Sequence, residues 1–505
     1  MKKILFLLII ILAFSLRFFR LGENPPSLYW DEASLGYNAY TIATSLHDEH
    51  GEFLPLARFI AFGDYKPPGY IYAAVPAILI FGLNEFSVRF PSMLAGLFMV
   101  IVTYYLTKEL FANRKIALLA SFLLGVSVWS VQFSRAAFEA NLAAFYNLAG
   151  IYLFIVARRI KWLILPSLIF FILSFYTFNA NRIIAPLMLL GLSIIYYKNL
   201  WANKKWLLFS VFISFMLLLP SISYLQSRES KLRFQEVSIF NNLEPIEVSN
   251  GRIAVDGNTW WNKIIHNRRL LFAGDFLKHY FDNFSGRFLF SHGDVNPRLH
   301  VQNMGELYVL ELPFLMLGFY MLIRKKEKAL AILILWMIVA PIPAATARET
   351  PHALRIASIL PTYQIIIAYG LYSLVSILRK RFNTGIFSLF FVLCSLFSAS
   401  IFYYLHNYYI HYPRDWSGEW QYGYKQMVNS VLEREKRYDQ IYVTNSLGRP
   451  YIYFAFYKQF LLSEFLSVRQ ADRDWYGFWD VKSMGKIKYN FDGLPYASGR
   501  ILVVT

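Results

Sequence analysis

The sequence predicts an α-helical protein that crosses a membrane many times and carries a small α/β domain at its C-terminal end. Three observations predict it: the composition, a series of apolar runs about as long as a bilayer is thick, and basic clusters set between those runs. Of 505 residues, 56% are hydrophobic and 16% charged, against about 25% charged in ordinary soluble chains. The formal net charge of +18 invites a nucleic-acid partner. Lys and Arg nevertheless fall in short clusters between apolar runs, and no basic surface interleaves with base-stacking aromatics, so no nucleic acid is expected. The 18% of aromatic residues suits interfacial belts of Tyr and Trp. The single cysteine, Cys394, excludes an intrachain disulfide.

A helix needs roughly 20 apolar residues to cross about 30 Å of hydrocarbon. Suitable runs lie near 4–21, 87–108, 116–133, 141–157, 162–178, 183–197, 206–225, 306–323, 329–345, 356–378 and 386–405. The first follows Lys2 and Lys3 as a signal peptide would. No small-residue cleavage site follows it, and Arg17 and Arg20 stand in that place, so it reads as an uncleaved first helix. One shorter run, 69–83, is interrupted by Pro76. If it does not cross, the basic clusters at 2–3, 114–115, 158–161, 198–205, 324–328 and 379–381 all share one side, which is then the cytoplasmic one. The expectation is roughly eleven transmembrane helices in the cytoplasmic (plasma) membrane plus a juxtamembrane or re-entrant helix at 69–83. The N-terminus is placed in the cytoplasm.

The membrane domain then covers 1–406, with outer loops at 22–68 and 226–305, and an extracytoplasmic soluble domain covers 407–505. That tail mixes a helical stretch, 424–436, with strand-like runs "QIYVT" and "RILVV". The sequence stops directly after the second run, which leaves a truncated C-terminus open. Neither internal repeats nor low-complexity segments are evident.

The polar residues that could carry chemistry gather at the outer ends of the runs. "LYWDEASLGYNAY" holds the adjacent carboxylates Asp31 and Glu32, with Tyr37 and Tyr40 following at helical spacing. In the first turn of a helix both carboxylates would simply favour the dipole. Held at the bilayer surface by Tyr29 and Trp30, they could instead serve a reaction. "GDYKPPGYIY" sets Lys66 before two prolines suited to a helix start, near the depth of a lipid phosphate; snorkelling is the plain alternative. "FSRAAFEAN" spaces Arg135 and Glu139 four apart, as an ion pair on one helix face would require. "TARETPHALR" gathers Arg348, His352 and Arg355 around Glu349, and Arg182 in "FNANR" can join them. Guanidinium groups grip phosphate bidentately, so these arginines suggest an anionic ligand. No P-loop, dinucleotide fingerprint, Cys/His zinc spacing or nucleophile elbow occurs.

In order, these segments resemble the GT-C superfamily of polytopic glycosyltransferases, nearest its protein O-mannosyltransferase and aminoarabinose transferase branch (family 39-like). The resemblance runs from Phe18 to about Arg159 and rests on "WDE", "KPPGY" followed by "FGLNEFSVRFPS", and "SRAAFE". It implies an inverting glycosyltransferase of the cell envelope. A polyprenyl-phosphate sugar would be its donor, and an unidentified protein, lipid or glycan on the outer face its acceptor. The resemblance makes Asp31 the base and Glu32 its helper. Lys66 and Arg135 become stabilisers of the leaving phosphate, with Glu139 matching the acidic position that follows. Many relatives carry His where Lys66 stands, which leaves its role open. Arg348, His352 and Arg355 are further phosphate ligands on physical grounds, with Tyr37 and Arg182 in positioning roles. Relatives of this branch need no metal, and the sequence offers no metal cage, so no cofactor is expected. Two other classes compete. A transporter or flippase would place its ionisable residues near the bilayer midplane on broken helices. A surface-polysaccharide polymerase or ligase shares the outer-face chemistry and differs only at "WDE" and "KPP".

Overall fold

A computed structural model describes residues 2–61, 64–227, 230–231, 238–381, 386–474 and 478–505. The chain opens with α1 (Lys2–Phe18), and α2 (Trp30–Ser45) follows a loop. A two-stranded hairpin, β1 (Phe59–Ala61) and β2 (Asp64–Lys66), pairs Phe59 with Lys66 and leads through Pro67 and Pro68 into α3 (Gly69–Phe81). The helices α4 (Glu85–Phe111), α5 (Arg114–Gly125), α6 (Val128–Ser134), α7 (Glu139–Ala157), α8 (Ile164–Thr177) and α9 (Asn181–Ile195) build the body. Later helices include Lys204–Gln226, Leu312–Arg324, Ala329–Val339, Thr362–Arg381 and Ile386–His406.

Each apolar run folds largely as helix, yet the expected count of eleven crossings is not what these helices give. Among the described residues four are long and apolar enough to cross a membrane: Glu85–Phe111, Glu139–Ala157, Lys204–Gln226 and Ala357–Arg379. A fifth arises if α5 and α6, bent by 57°, count as one span. Other apolar helices, Gly69–Phe81, Lys161–Thr177, Asn181–Ile195 and Ala329–Ala345, have only 10–17 residues. The physical reason is that an apolar run reads the same whether it meets lipid or protein. Most of α7 is buried inside the molecule, whereas Lys204–Gln226 turns Leu208, Phe209, Phe212 and Phe215 outward. The short run at 69–83 is indeed a short helix. At 1.5 Å per residue it reaches roughly 20 Å, too little to span the hydrocarbon.

The C-terminal region forms a five-stranded mixed sheet in the order β4-β5-β6-β3-β7. Its strands are β3 (Gln440–Val443), β4 (Arg469–Arg473), β5 (Trp479–Met484), β6 (Ile487–Lys488) and β7 (Ile501–Val504). β3 runs parallel to β6 and β7, while β5 pairs antiparallel with β4 and β6. The strand-like runs of the tail are thus β3 and β7. This region does not stand apart from the helical body. Leu28, Ala33, Tyr37, Phe59 and Tyr70 share one hydrophobic core with Ile441, Tyr451, Phe454 and Phe465. Gly36 permits a close approach there, since a Cβ would lie 2.6 Å from Cε2 of Phe456.

Candidate active site

Asp31 and Glu32 occupy the first turn of α2, after Tyr29 in extended conformation. Successive helical residues are rotated by about 100°, so the two carboxylates face different neighbours. Asp31 forms an ion pair with Lys66 and stays 27% exposed. Lys66 is fixed by β2 and the prolines that start α3, and its Nζ also lies 4.0 Å from Glu139 Oε2 at the first residue of α7. One cation therefore stands between two carboxylates, at the starts of α2 and α7. Burial without partners would be prohibitive for such charges, and pairing is what lets them remain.

Glu32 has no exposed surface. Its Oε1 accepts from Arg89 Nε at 2.9 Å and from the Ala137 N–H at 2.8 Å, and its Oε2 accepts from Arg89 Nη2 at 3.0 Å. Arg89, itself fully buried, also donates to the carbonyls of Leu21, Pro25 and Ser27. The pair ties α2 to α4 and to the turn before α7. This geometry makes Glu32 a structural anchor of the helix that presents Asp31.

Arg135 departs most from the sequence expectation. α6 ends at Ser134 and α7 begins at Glu139, so no continuous helix joins Arg135 to Glu139 and the four-residue spacing has no meaning. Glu139 faces Lys66 instead. Arg135 is fully buried and donates to the carbonyls of Leu16, Arg17, Phe19, Arg20 and Asn24 and to the Tyr408 hydroxyl. With its donors so engaged it clamps the end of α1 and is not aimed at a phosphate. Arg17 does similar work in α1, donating to Ser130 and Ser134 and to the carbonyls of Leu124 and Gly125.

The late basic turn gathers elsewhere. Arg348 donates to the Ser238 carbonyl and lines a cavity with His279, Glu244 and Asp275. Arg355 donates to the Glu349 carbonyl at 3.4 Å. The ring of His352 is buried 3.9 Å from Asp294, and burial, with Arg355 adding to it, lowers its pKa to about 3. A histidine held neutral is a poor phosphate ligand. Arg182 stacks over Tyr224 and Phe175. Tyr37 is fully buried and donates to the Phe460 carbonyl, so it anchors the C-terminal region rather than a reactant.

Sequence reasoning missed Arg89 and Arg298. An arginine inside the long apolar run of α4 was the available signal for the first, because intramembrane charges are kept only for a task. Arg298 lies in the long segment between the helices Lys204–Gln226 and Leu312–Arg324 and stacks over Tyr29 and Trp30 at 5.5 and 5.8 Å. Nothing in its local sequence pointed there. Among the described residues no group of three or more His, Cys, Asp or Glu could hold a metal ion.

Behind α2 the loop 46–58 buries a second acidic group. Burial, with Asp48 adding its charge, raises Glu49 to about 8, and Arg469 donates to the Glu49 carbonyl at 3.0 Å. A carboxyl raised in the folded state keeps a proton that the unfolded chain releases above its ordinary value. Its contribution to stability is therefore complete below that value and is lost as pH climbs through about 8. Melting curves at about pH 5.5 and about pH 8.5 should show a lower midpoint at the higher pH, and Glu49→Gln should narrow the gap.

Comparisons with known proteins agree with this architecture. Residues 7–235 match the family described as dolichyl-phosphate-mannose-protein mannosyltransferase. An uncharacterised protein of Aquifex aeolicus (strain VF5) is 28% identical over 218 residues, which is 43% of this chain and 48% of that one. The chain thus spans about half the length of that relative. ArnT from Cupriavidus metallidurans in the apo state superposes with a TM-score of 0.54 at 11% identity, over 90% of this chain and 84% of ArnT. The archaeal oligosaccharyltransferase AglB from Archaeoglobus fulgidus, solved with an inhibitory peptide and a dolichol-phosphate, gives 0.52 at 14% identity, over 90% of this chain and 63% of AglB. ArnT bound to undecaprenyl phosphate gives 0.50 at 11% identity, over 90% of this chain and 84% of that one. The likeness shows a GT-C fold, and the resemblance expected from "WDE", "KPPGY" and "SRAAFE" holds.

Proposed function

From the GT-C fold and the mannosyltransferase-like first half, we propose that this chain is an inverting glycosyltransferase. It moves a sugar from a polyprenyl-phosphate donor to an acceptor on the outer face of the plasma membrane. The observation that carries this reading is the Asp31–Lys66–Glu139 cluster, one ammonium between two carboxylates at helix starts. Solved relatives hold a dolichol-phosphate or undecaprenyl phosphate, which supports a lipid phosphate as the leaving group.

In the proposed reaction Asp31 takes the proton of an acceptor hydroxyl as its oxygen attacks the anomeric carbon. The bond between that carbon and the phosphate oxygen breaks, and the lipid phosphate leaves with the electron pair. Lys66 meets the charge that grows on the phosphate, and a fixed cation in a water-poor cleft acts strongly there. A donor phosphate competing for Lys66 also frees Asp31 from its ion pair, so the base becomes competent when the donor is bound. Glu139 holds the ammonium in place. Arg89 and Glu32 keep the α2 terminus in register, and Arg135 fixes the end of α1.

Lys66 supplies the cation, so the reaction is expected to need no metal. Membranes bearing the protein, given radiolabelled polyprenyl-phosphate hexoses and an extract of envelope acceptors, should move label from lipid to acceptor with EDTA present. Transfer that vanishes in EDTA and returns with a divalent ion would overturn the metal-free mechanism. Label that stays on the lipid with every donor would overturn the transferase reading.

A further inference from the structure

Building on the transferase reading, we propose that the cavity between Trp30 and the C-terminal sheet is the acceptor site, and that the acceptor it takes is a neutral glycan. This cavity holds about 500 Å³, inside the range of about 300–1,000 Å³ usual for small-molecule sites. Two of its walls are the segments that follow β3 and β6, which are parallel neighbours. Ligands of open α/β sheets sit outside such carboxyl ends. The third wall comes from β5, and Trp30 of the helical body closes the fourth side.

The cavity is tied to the proposed base. The Trp30 N–H donates to Gln421 Oε1 at 2.8 Å, and Gln421 Nε2 donates to the Leu447 carbonyl at 3.0 Å. Gly448 has φ +131°, and a Cβ there would come within 2.6 Å of the Trp30 ring. The loop therefore lies directly on Trp30, and only glycine allows it to lie so close. Asp31 is the next residue of α2 and faces Lys66 rather than lining the cavity, so the cavity and the proposed base meet at one helix start and an acceptor chain seated on Trp30 has only to extend past that turn to reach the carboxylate.

The lining indicates the ligand. Asn445, Asn490, Asp474 and Asp480 offer the donors and acceptors that sugar hydroxyls require, and the Trp30 indole offers a flat apolar face for the C–H side of a sugar ring. The carboxylates of Asp474 and Asp480 balance the cations of Arg449 and Lys482, and Lys482 donates to Asp480 at 2.6 Å. A wall with cancelling formal charge favours a neutral ligand over a phosphorylated or acidic one.

Saturation-transfer NMR on the detergent-solubilised full chain tests this with mannotriose, cellotetraose and chitotriose. At least one should be saturated by the wild type, and the signal should fall in Asn445→Ala and in Asn490→Ala. Both variants should keep the wild-type melting midpoint, because Asn445 is exposed and Asn490 half-buried. In transfer assays the acceptor KM should rise about fivefold in each variant and about thirtyfold when both amides are lost, at about 1 kcal/mol per hydrogen bond, with the donor KM unchanged. Absence of signal from all three oligosaccharides would overturn the assignment. So would saturation of a serine-rich peptide in their place, or transfer with an unchanged acceptor KM in both variants, although that last result would leave the transferase reading intact. Oligosaccharide binding that is lost in the variants, with no transfer from any donor, would support the cavity and count against the transferase.

Discussion

Replacing Asp31 with asparagine should lower sugar transfer by ~10²–10⁴-fold, the usual worth of a positioned general base. The amide keeps the size and shape of the carboxylate but cannot take the acceptor's proton. The stability loss should be modest, because Asp31 is 27% exposed and the buried Lys66 ammonium keeps Glu139 as a partner. The melting midpoint should therefore stay near the wild-type value, and the donor KM should fall because Asp31 no longer competes for Lys66, while kcat drops. Lys66→Met separates the two roles. It removes the cation that meets the leaving phosphate, so both kcat and donor affinity should drop. Equal transfer by wild type and Asp31→Asn would take the base assignment away from Asp31 and leave the class of reaction untouched.

Arg89→Met should be the most destabilising single substitution near the site, by about 3–5 kcal/mol, the cost of leaving one partner of a buried ion pair alone. Both side chains are fully buried, and the guanidinium serves the Glu32 carboxylate and three backbone carbonyls at once. Removal takes the guanidinium from three backbone carbonyls and leaves the buried Glu32 carboxylate with the Ala137 N–H. The double variant Glu32→Gln with Arg89→Met should recover part of the loss, because the unpaired charge disappears with its partner. Thermal melting of the four proteins in detergent gives the coupling between the residues directly. Additive effects would show that Glu32 and Arg89 do not act as a unit.

How far the molecule could be read from its sequence follows from the range of the interactions concerned. The apolar runs, the short helix after Pro67 and Pro68, and the acidic start of α2 are local patterns, and each stands in the structure. The number of crossings was not legible, because the same apolar letters pack α7 against protein and turn the helix at 204–226 outward. Asp31, Lys66 and Glu139 were each found in their own segments, and the structure brings them together. Arg135 was misread because its partners are backbone carbonyls more than a hundred positions earlier, which no spacing rule encodes. His352 looked like a phosphate ligand as long as its burial beside Asp294 was unknown. The core shared between α2 and the C-terminal helix Tyr451–Tyr457 joins segments some four hundred residues apart, and periodicity within either one cannot reveal it.

The central claim, that the Asp31–Lys66 pair drives transfer of a sugar off a lipid phosphate, is tested most directly with purified protein in liposomes. A polyprenyl-phosphate sugar labelled on both sugar and lipid phosphate is supplied with envelope acceptor, and both products are followed. The account predicts one free polyprenyl phosphate for each sugar transferred, with the anomeric configuration inverted and both products lost in Asp31→Asn. A folded wild type that leaves every donor intact, or one that moves the intact donor across the bilayer without cleaving it, would contradict it.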